Sequence, residues 1–259
     1  MTIFGSQLYI TFRHPGTCPI ESVWVTQLYP IAIITRFHLI INLSEFSTMY
    51  NLPYYKENDF EVVKQFMQAN PFVLLTGVNA NHEPVATQVP VLLEERDKQL
   101  FLIGHMQRKT DHQLAFEQNP NALAIFTGPH TYVSASWYSD PQTASTWNYM
   151  TVHVKGTLGF LDDAALLTIL SRTTAHFEND VHSPSLVEKM PEEYVSKMMR
   201  AIIAFEINVI HIDHVFKLSQ NRDKESFQNI IPKLAEQGGE AAAIASEMEK
   251  RSSQLFKEQ

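Results

Sequence analysis

The sequence predicts a mainly β fold with peripheral helices (α+β), built on an antiparallel sheet closed into a small barrel. Two observations lead there. Apolar or alternating runs of strand length, about six in all, are separated by Gly, Pro, Asn and Asp clusters of the kind that turn a chain. Helical stretches fall irregularly among them, without the βαβ alternation that a parallel sheet needs.

Glu57–Asn70 (ENDFEVVKQFMQAN) sets Phe60, Val63, Phe66 and Met67 at helical spacing, and Pro71 stops the helix. Phe72–Val78 (FVLLTGV) is a short apolar strand turned by Asn79–His82. Val85–Leu93 (VATQVPVLL) is β-rich, but Pro90 removes one ladder donor, so an edge or a bulge is expected there. Leu100–Gly104 (LFLIG) follows a turn at Arg96–Lys98, and Asp111–Glu117 makes a helical turn ending near Asn119–Pro120. Ala122–Thr127 and Thr131–Trp137 bracket Gly128-Pro129, giving one bent strand or two linked ones. Along Trp147–Gly159, Tyr149, Thr151, His153 and Lys155 share one face, and Met150, Val152 and Val154 the other. Asp162–Phe177 is a helix with Leu166, Leu167 and Leu170 in one stripe and Asp162 and Asp163 near its N-terminus. Pro191–Met199 is a helix opened by Pro191 in its first turn. Ile202–Ile212 reads as a long buried strand, and Gly238-Gly239 precedes a final surface helix.

Composition narrows the function. The 259 residues are 44% hydrophobic and 19% charged, which supports a proper core and excludes a disordered chain. A net charge of -8 excludes a chain that is cationic throughout and wraps nucleic acid. A single cysteine, Cys18, excludes a disulfide framework or a multi-cysteine metal site. The glycines form neither the dinucleotide nor the P-loop fingerprint, and H-E-x-x-H and G-x-S-x-G are missing.

Residues 1–48 have a different texture. They contain no Lys, only Arg13 and Arg36 as cations, and Arg36 and His38 break the apolar run Ile31–Leu43 below spanning length. A charged start and a small-residue cleavage site are lacking, so the cytoplasm is the expected compartment. The expectation is an over-extended reading frame or disordered extension with the true start at Met49; a docking arm is the alternative.

Three segments are richer in polar and aromatic groups than a core strand needs. Gly104-His-Met-Gln-Arg-Lys109 lies where a strand runs into a helix, and such a cation pair can hold a phosphate or form a solvated basic loop. Gly128–Tyr138 and Thr146–Tyr149 concentrate aromatic side chains that could stack a flat heterocycle or pack against the sheet. Phe216–Arg222 (FKLSQNR) leaves the last strand as a dense polar run, a site or a polar turn. His211 and His214 point to opposite faces of a strand and make a poor metal pair. His105, His130 and His153 could each serve as axial ligand or general acid, or as a hydrogen-bonded wall residue. Ser134 and Ser136 have no carboxylate at a telling distance for hydrolysis.

Taken together these segments resemble the PaiB family, FMN-binding negative transcriptional regulators of bacteria. The likeness rests on Asn70-Pro-Phe72, Gly104-His-Met106, Gly128-Pro-His130 through Ser136-Trp-Tyr138, Thr146-Trp-Asn-Tyr149, Val152-His153, Phe205-Glu-Ile207 and Phe216–Arg222. It runs from Met49 to about Lys250 and implies a Greek-key split β-barrel of the FMN-binding type, the fold also used by pyridoxamine-phosphate oxidases. The implied organisation is an extension outside the family (1–48), the barrel with inserted helices (49–222) and a C-terminal helical tail (223–259).

The resemblance also implies roles. Arg108 and Lys109 would neutralise the FMN phosphate. Thr87 and the run Gln88, Val89 and Pro90 would line the isoalloxazine, beside His105 and Met106. Trp147 and Asn148 would close the site, and Gln220 and Arg222 would border it or a homodimer seam. Gln107 and Thr87 stand where the oxidases carry Ser and Arg, which argues against a pyridoxamine-type substrate. The leading expectation is a flavin-dependent repressor, with direct or indirect contact to DNA open. The alternatives are an FMN oxidoreductase on a small substrate, or haem bound through one of the histidines.

Overall fold

The computed structural model describes Tyr50, residues 52–256 and the backbone of two short paired strands, β1 (Ile3–Phe4) and β2 (Gln7–Leu8). The chain divides into two units, Met1–Glu45 and Phe46–Gln259. The expected start at Met49 lies outside the described residues.

The second unit is a closed antiparallel barrel with helices around it, as expected. Its strands are β3 (Phe72–Val78), β4 (Pro84–Arg96), β5 (Gln99–Gln107), β6 (Asn121–Val133), β7 (Thr146–Phe160) and β8 (Ile202–Lys217), in the spatial order β3-β4-β5-β8-β7-β6. The core inside it includes Leu75, Leu102, Phe126, Phe205 and Phe216. The alternation foreseen in β7 holds: Met150, Val152 and Val154 are buried, while Tyr149, Thr151 and His153 turn outward and are half covered.

Two glycines are required by close approach. The Phe116 ring comes within 2.5 Å of where a Gly77 Cβ would stand, because the helix α2 (Asp111–Gln118) plugs the barrel against β3. The Phe66 ring comes within 2.4 Å of the same point at Gly128, the bulge that bends β6 as one strand between Thr127 and His130.

Several expectations are corrected. Helix α1 (Phe60–Ala69) starts later than Glu57, because the Glu57 amide donates to His214 Nε2 (2.8 Å) and Asp59 caps the first turn. Phe60 is half exposed and lies off the buried stripe. In α3 (Asp163–Glu178) the buried face is Leu166 and Ile169, packed on Ile103 and Ala204; Leu167, one residue on, is rotated away and exposed. Pro191 is the N-cap of α4 (Glu192–Met199) rather than part of its first turn. Strand β8 runs on to Lys217 and is not buried throughout: a bulge opposite Lys155 and Gly156 leaves Ile210 69% exposed. The final helix is a surface helix on one face only, and its other face is core. Gly238 and Gly239, both at positive φ, turn the chain sharply between α5 (Lys224–Gln237) and α6 (Gly239–Leu255). That folds Phe227, Ile230 and Leu234 together with Ile244 and Met248 into the main core.

Candidate functional site

Pro90 decides where the barrel opens. Val91 donates its amide to the Pro71 carbonyl on the β3 side, so the donor missing at Pro90 is one that would point to β5. Registered β4–β5 pairs accordingly stop at Val91–Gly104. The Pro90 carbonyl lies 2.8 Å from where a Gly104 Cβ would be, which fixes Gly at that crossing. Beyond it β4 pairs only with β3 and β5 only with β8. The two strand ends that separate carry Thr87–Pro90 and His105–Lys109.

Alternation divides these residues. Val89 and Met106 are buried in the core, and Thr87 shares their inward phase on β4. Gln88, Pro90 and His105 are the outward ones. His105 Nδ1 is buried without a hydrogen-bond partner among the described residues, and burial holds the His105 pKa below the usual imidazole value. An orphaned polar atom of this kind costs free energy until something fills it.

Arg108 and Lys109 follow on the turn into α2. The Arg108 Nε donates to the Ile202 carbonyl (2.6 Å) and Nη2 to Asp163 (3.1 Å), so the guanidinium staples β5 to the start of β8 and to α3. Lys109 takes φ +61, its amide donates to Gln113 Oε1 (2.7 Å), and its side chain is exposed. Thr110 caps α2. Arg200 and Ser196 line the same hollow as Arg108, about 480 Å³ in volume. Sequence reasoning missed Arg200, which ends α4 with no local motif to mark it.

The remaining expected residues lie elsewhere. Trp147 and Asn148 are neighbours on β7 and face opposite ways. Trp147 is 54% exposed, edge-on to Tyr132 at 6.0 Å. Asn148 is fully buried under α6, accepting from the Ser219 hydroxyl (3.1 Å) and donating to Met248 Sδ (3.6 Å), so its side chain is not on the face that carries Trp147. Gln220 is spent locally, accepting from the Leu218 amide (2.7 Å) and donating to the Phe216 carbonyl (2.5 Å). Arg222 stacks over Tyr138, and its Nη2 donates to the Ala144 carbonyl. Within one chain, Gln220 and Arg222 follow the end of β8 opposite to Arg108.

Of the other histidines, His130 pairs with Glu240 (2.9 Å), and His153 stands opposite Asp213 on the neighbouring strand. Ser134 and Ser136 bond each other (2.8 Å). Among the described residues no group of three or more His, Cys, Asp or Glu could hold a metal. A larger cavity, about 680 Å³, lies between α1 and α6 and contains none of the expected residues.

Residues 49–211 match the family described as "Putative FMN-binding domain". The chain belongs to this family. A curated relative, "Protease synthase and sporulation protein PAI 2" of Bacillus subtilis, is 31% identical over 202 residues, 78% of this chain and 97% of that protein. Among solved structures, the FAD and haem binding protein of Mycobacterium smegmatis covers 62% of this chain and 72% of its own, at 16% identity and TM-score 0.48. The flavocytochrome Anf3 of Azotobacter vinelandii covers 62% and 68%, at 15% identity and TM-score 0.44. The closed barrel is therefore that of a member of the FMN-binding-domain family, and the matched segment spans Thr87 through Asn148 but ends before Gln220 and Arg222.

The fold also makes this family member's stability depend on pH. Burial lowers the pKa of His105, His153 and His214. The folded chain therefore binds fewer protons than the unfolded chain just below the usual imidazole value, so stability rises with pH and is lost as pH falls through about 6.5. Glu247 and Asp223, whose pKa values are also lowered, act only at more acidic pH. The melting temperature should fall between pH 7 and pH 5; a flat profile there would count against neutral buried histidines.

Proposed function

We propose that the chain binds FMN at the split beside Pro90 and works as a homodimeric, flavin-dependent regulator in the cytoplasm. The observation that carries the reading is the pairing of a buried, unsatisfied His105 Nδ1 with the Arg108-Lys109 turn, on the strand end that Pro90 releases from β4. A flavin edge against Pro90 and His105 would give that nitrogen a partner. Its phosphate would reach Lys109, Arg108 and the N-terminus of α2. Thr87, Val89 and Met106 would then act through backbone and shape, since their side chains turn inward. Bound FMN supplies one- or two-electron redox chemistry. The residues fit the group.

A second copy is supported by Phe72 and Leu74, 62% and 38% exposed on β3, directly opposite Pro90 and Gln88. An apolar strip beside a cofactor site is what a two-fold seam would cover. Trp147 could then reach the flavin from the partner's side and Arg222 would border the seam, while Asn148 and Gln220 would serve only as supports. Among the described residues no helix is long and apolar enough to cross a membrane.

The test is the absorption spectrum of the purified chain before and after FMN addition, with gel filtration alongside. A shifted, protein-bound flavin spectrum on a dimer is expected. A chain that leaves FMN unperturbed at high micromolar concentration would overturn the reading.

The regulator role has its own expected result. The α5–α6 pair buries its facing sides in the core and presents mixed charges outside, such as Lys233 with Glu236, and Lys250. Direct binding to DNA should therefore be weak and fall steeply with salt, any effect on transcription running through a partner or flavin chemistry. A sequence-specific nanomolar complex at physiological salt would overturn this. The second reading, an FMN oxidoreductase on a small substrate, is favoured by Lys217 and Arg222 beyond the other end of β8, neither of which has a carboxylate partner among the described residues.

A further inference from the structure

Three buried side-chain atoms lack a hydrogen-bond partner among the described residues: His105 Nδ1, Tyr138 Oη and Arg222 Nε. The last two lie together, far from the first. Strand β8 begins at Ile202, which holds Arg108, and ends at Lys217, roughly 50 Å of strand contour away.

Four segments meet at that far end. Lys217 closes β8, and its ammonium bonds the Thr146 hydroxyl (2.5 Å) at the start of β7. It stands 6.0 Å from the ring of Tyr55, a buried residue of the short helical turn Pro53–Tyr55. Arg222, after the turn Ser219–Arg222, stacks over Tyr138 with Cζ 4.1 Å from the ring centroid. Among the described residues neither the phenol oxygen nor Nε has a hydrogen-bond partner of good geometry, although the guanidinium lies close enough to the phenol to offset part of the effect of its burial, and Nη2 donates to the Ala144 carbonyl (3.2 Å).

Neither Lys217 nor Arg222 has a carboxylate within 4 Å among the described residues. Asp223, adjacent in sequence, is committed to the Ser226 amide (2.8 Å) and hydroxyl (2.6 Å) and to Ser139 (3.2 Å). Two neighbouring cations, half buried beside aromatic rings and without a counter-charge, repel each other in a poorly screened setting. The lowered pKa of Lys217 follows, from burial first and from Arg222 second. A dianion between them would reverse that repulsion, take up the idle donors of the ammonium and guanidinium, and give Tyr138 an acceptor.

We propose that Lys217, Arg222, Tyr138 and Thr146 form a second anion site that takes the phosphate group of a small molecule, distinct from the flavin-phosphate position at Arg108. The charge count selects phosphate, since two uncompensated cations match a dianion. This inference does not rest on the flavin reading.

The probe is inorganic phosphate, titrated by calorimetry into the full chain, the Lys217→Met/Arg222→Met double variant and Arg108→Ala. Binding should weaken at least tenfold in the double variant and persist in Arg108→Ala. Equal affinity in the double variant, or the absence of binding to the unaltered chain at tens of millimolar, overturns the site. A double variant that loses FMN affinity as strongly as phosphate affinity overturns its separateness. Should that variant fail to fold, acylation of lysines in the unaltered chain decides: phosphate should slow labelling of Lys217 several-fold and leave Lys224 unchanged, and equal labelling of Lys217 with and without phosphate counts against the proposal.

Discussion

Replacing Arg108 and Lys109 together by Ala should weaken FMN binding by about 2–4 kcal/mol while barely changing riboflavin binding, because these cations act only on the phosphate. The range follows from roughly 1.5–3 kcal/mol for a hydrogen bond to a charged group, without full additivity, and corresponds to about thirty- to several-hundred-fold in affinity. The two residues separate structure from ligand. Arg108 already bonds the Ile202 carbonyl and Asp163, so its loss also loosens β8 and α3. The Lys109 side chain is exposed, and the turn it sits on is held by its backbone amide on Gln113, which Ala keeps. Lys109→Ala alone should therefore lower FMN affinity with little change in melting temperature, whereas Arg108→Ala lowers both. Equal affinity of the unaltered chain for riboflavin and FMN would refute the phosphate assignment.

The fold was legible because each barrel strand carries its own signal. Phe72–Val78 is bounded by Pro71 and a turn, and β7 alternates cleanly in burial along its length. Pro90 marked the edge of a ladder in the sequence, and the β4–β5 pairing ends there. Residue phase was less legible. Trp147 and Asn148 sit side by side in a motif, yet a strand sends neighbours to opposite faces, and α6 hides the second of them. Gln220 looked like a ligand because it is polar beside a strand exit, while local geometry makes it a clamp on Phe216 and Leu218. Arg200 left no trace, since only the packing of α4 beside α3 brings it to the Arg108 hollow. Helix α6 read as surface because its buried positions include Ala241 and Ala245, small residues that give a weak apolar stripe.

Deleting residues 239–259 should unfold the barrel unit rather than trim it. Ile244 and Met248 are completely buried in the same core as Phe216 and Phe227, and Ala241 and Ala245 lie nearly so. Truncating a buried Ile or Met to Ala costs about 2–5 kcal/mol. Removing the whole helix also bares Phe227, Ile230 and Leu234 on α5 and strips Asn148 of its contact with Met248. A loss on the order of 5 kcal/mol or more consumes most of the roughly 5–15 kcal/mol that holds a domain together. Ile244→Ala is the milder form: its denaturant midpoint should fall by an amount worth about 2–4 kcal/mol with the slope unchanged, the sign of a lost core contact in an intact fold. Arg222→Ala, in the turn between β8 and α5, should leave the midpoint nearly as it was, because among the described residues its guanidinium holds only the Ala144 carbonyl and the face of Tyr138. If the shortened chain melted like the full one, α6 would be dispensable and the buried positions assigned to it would not be core.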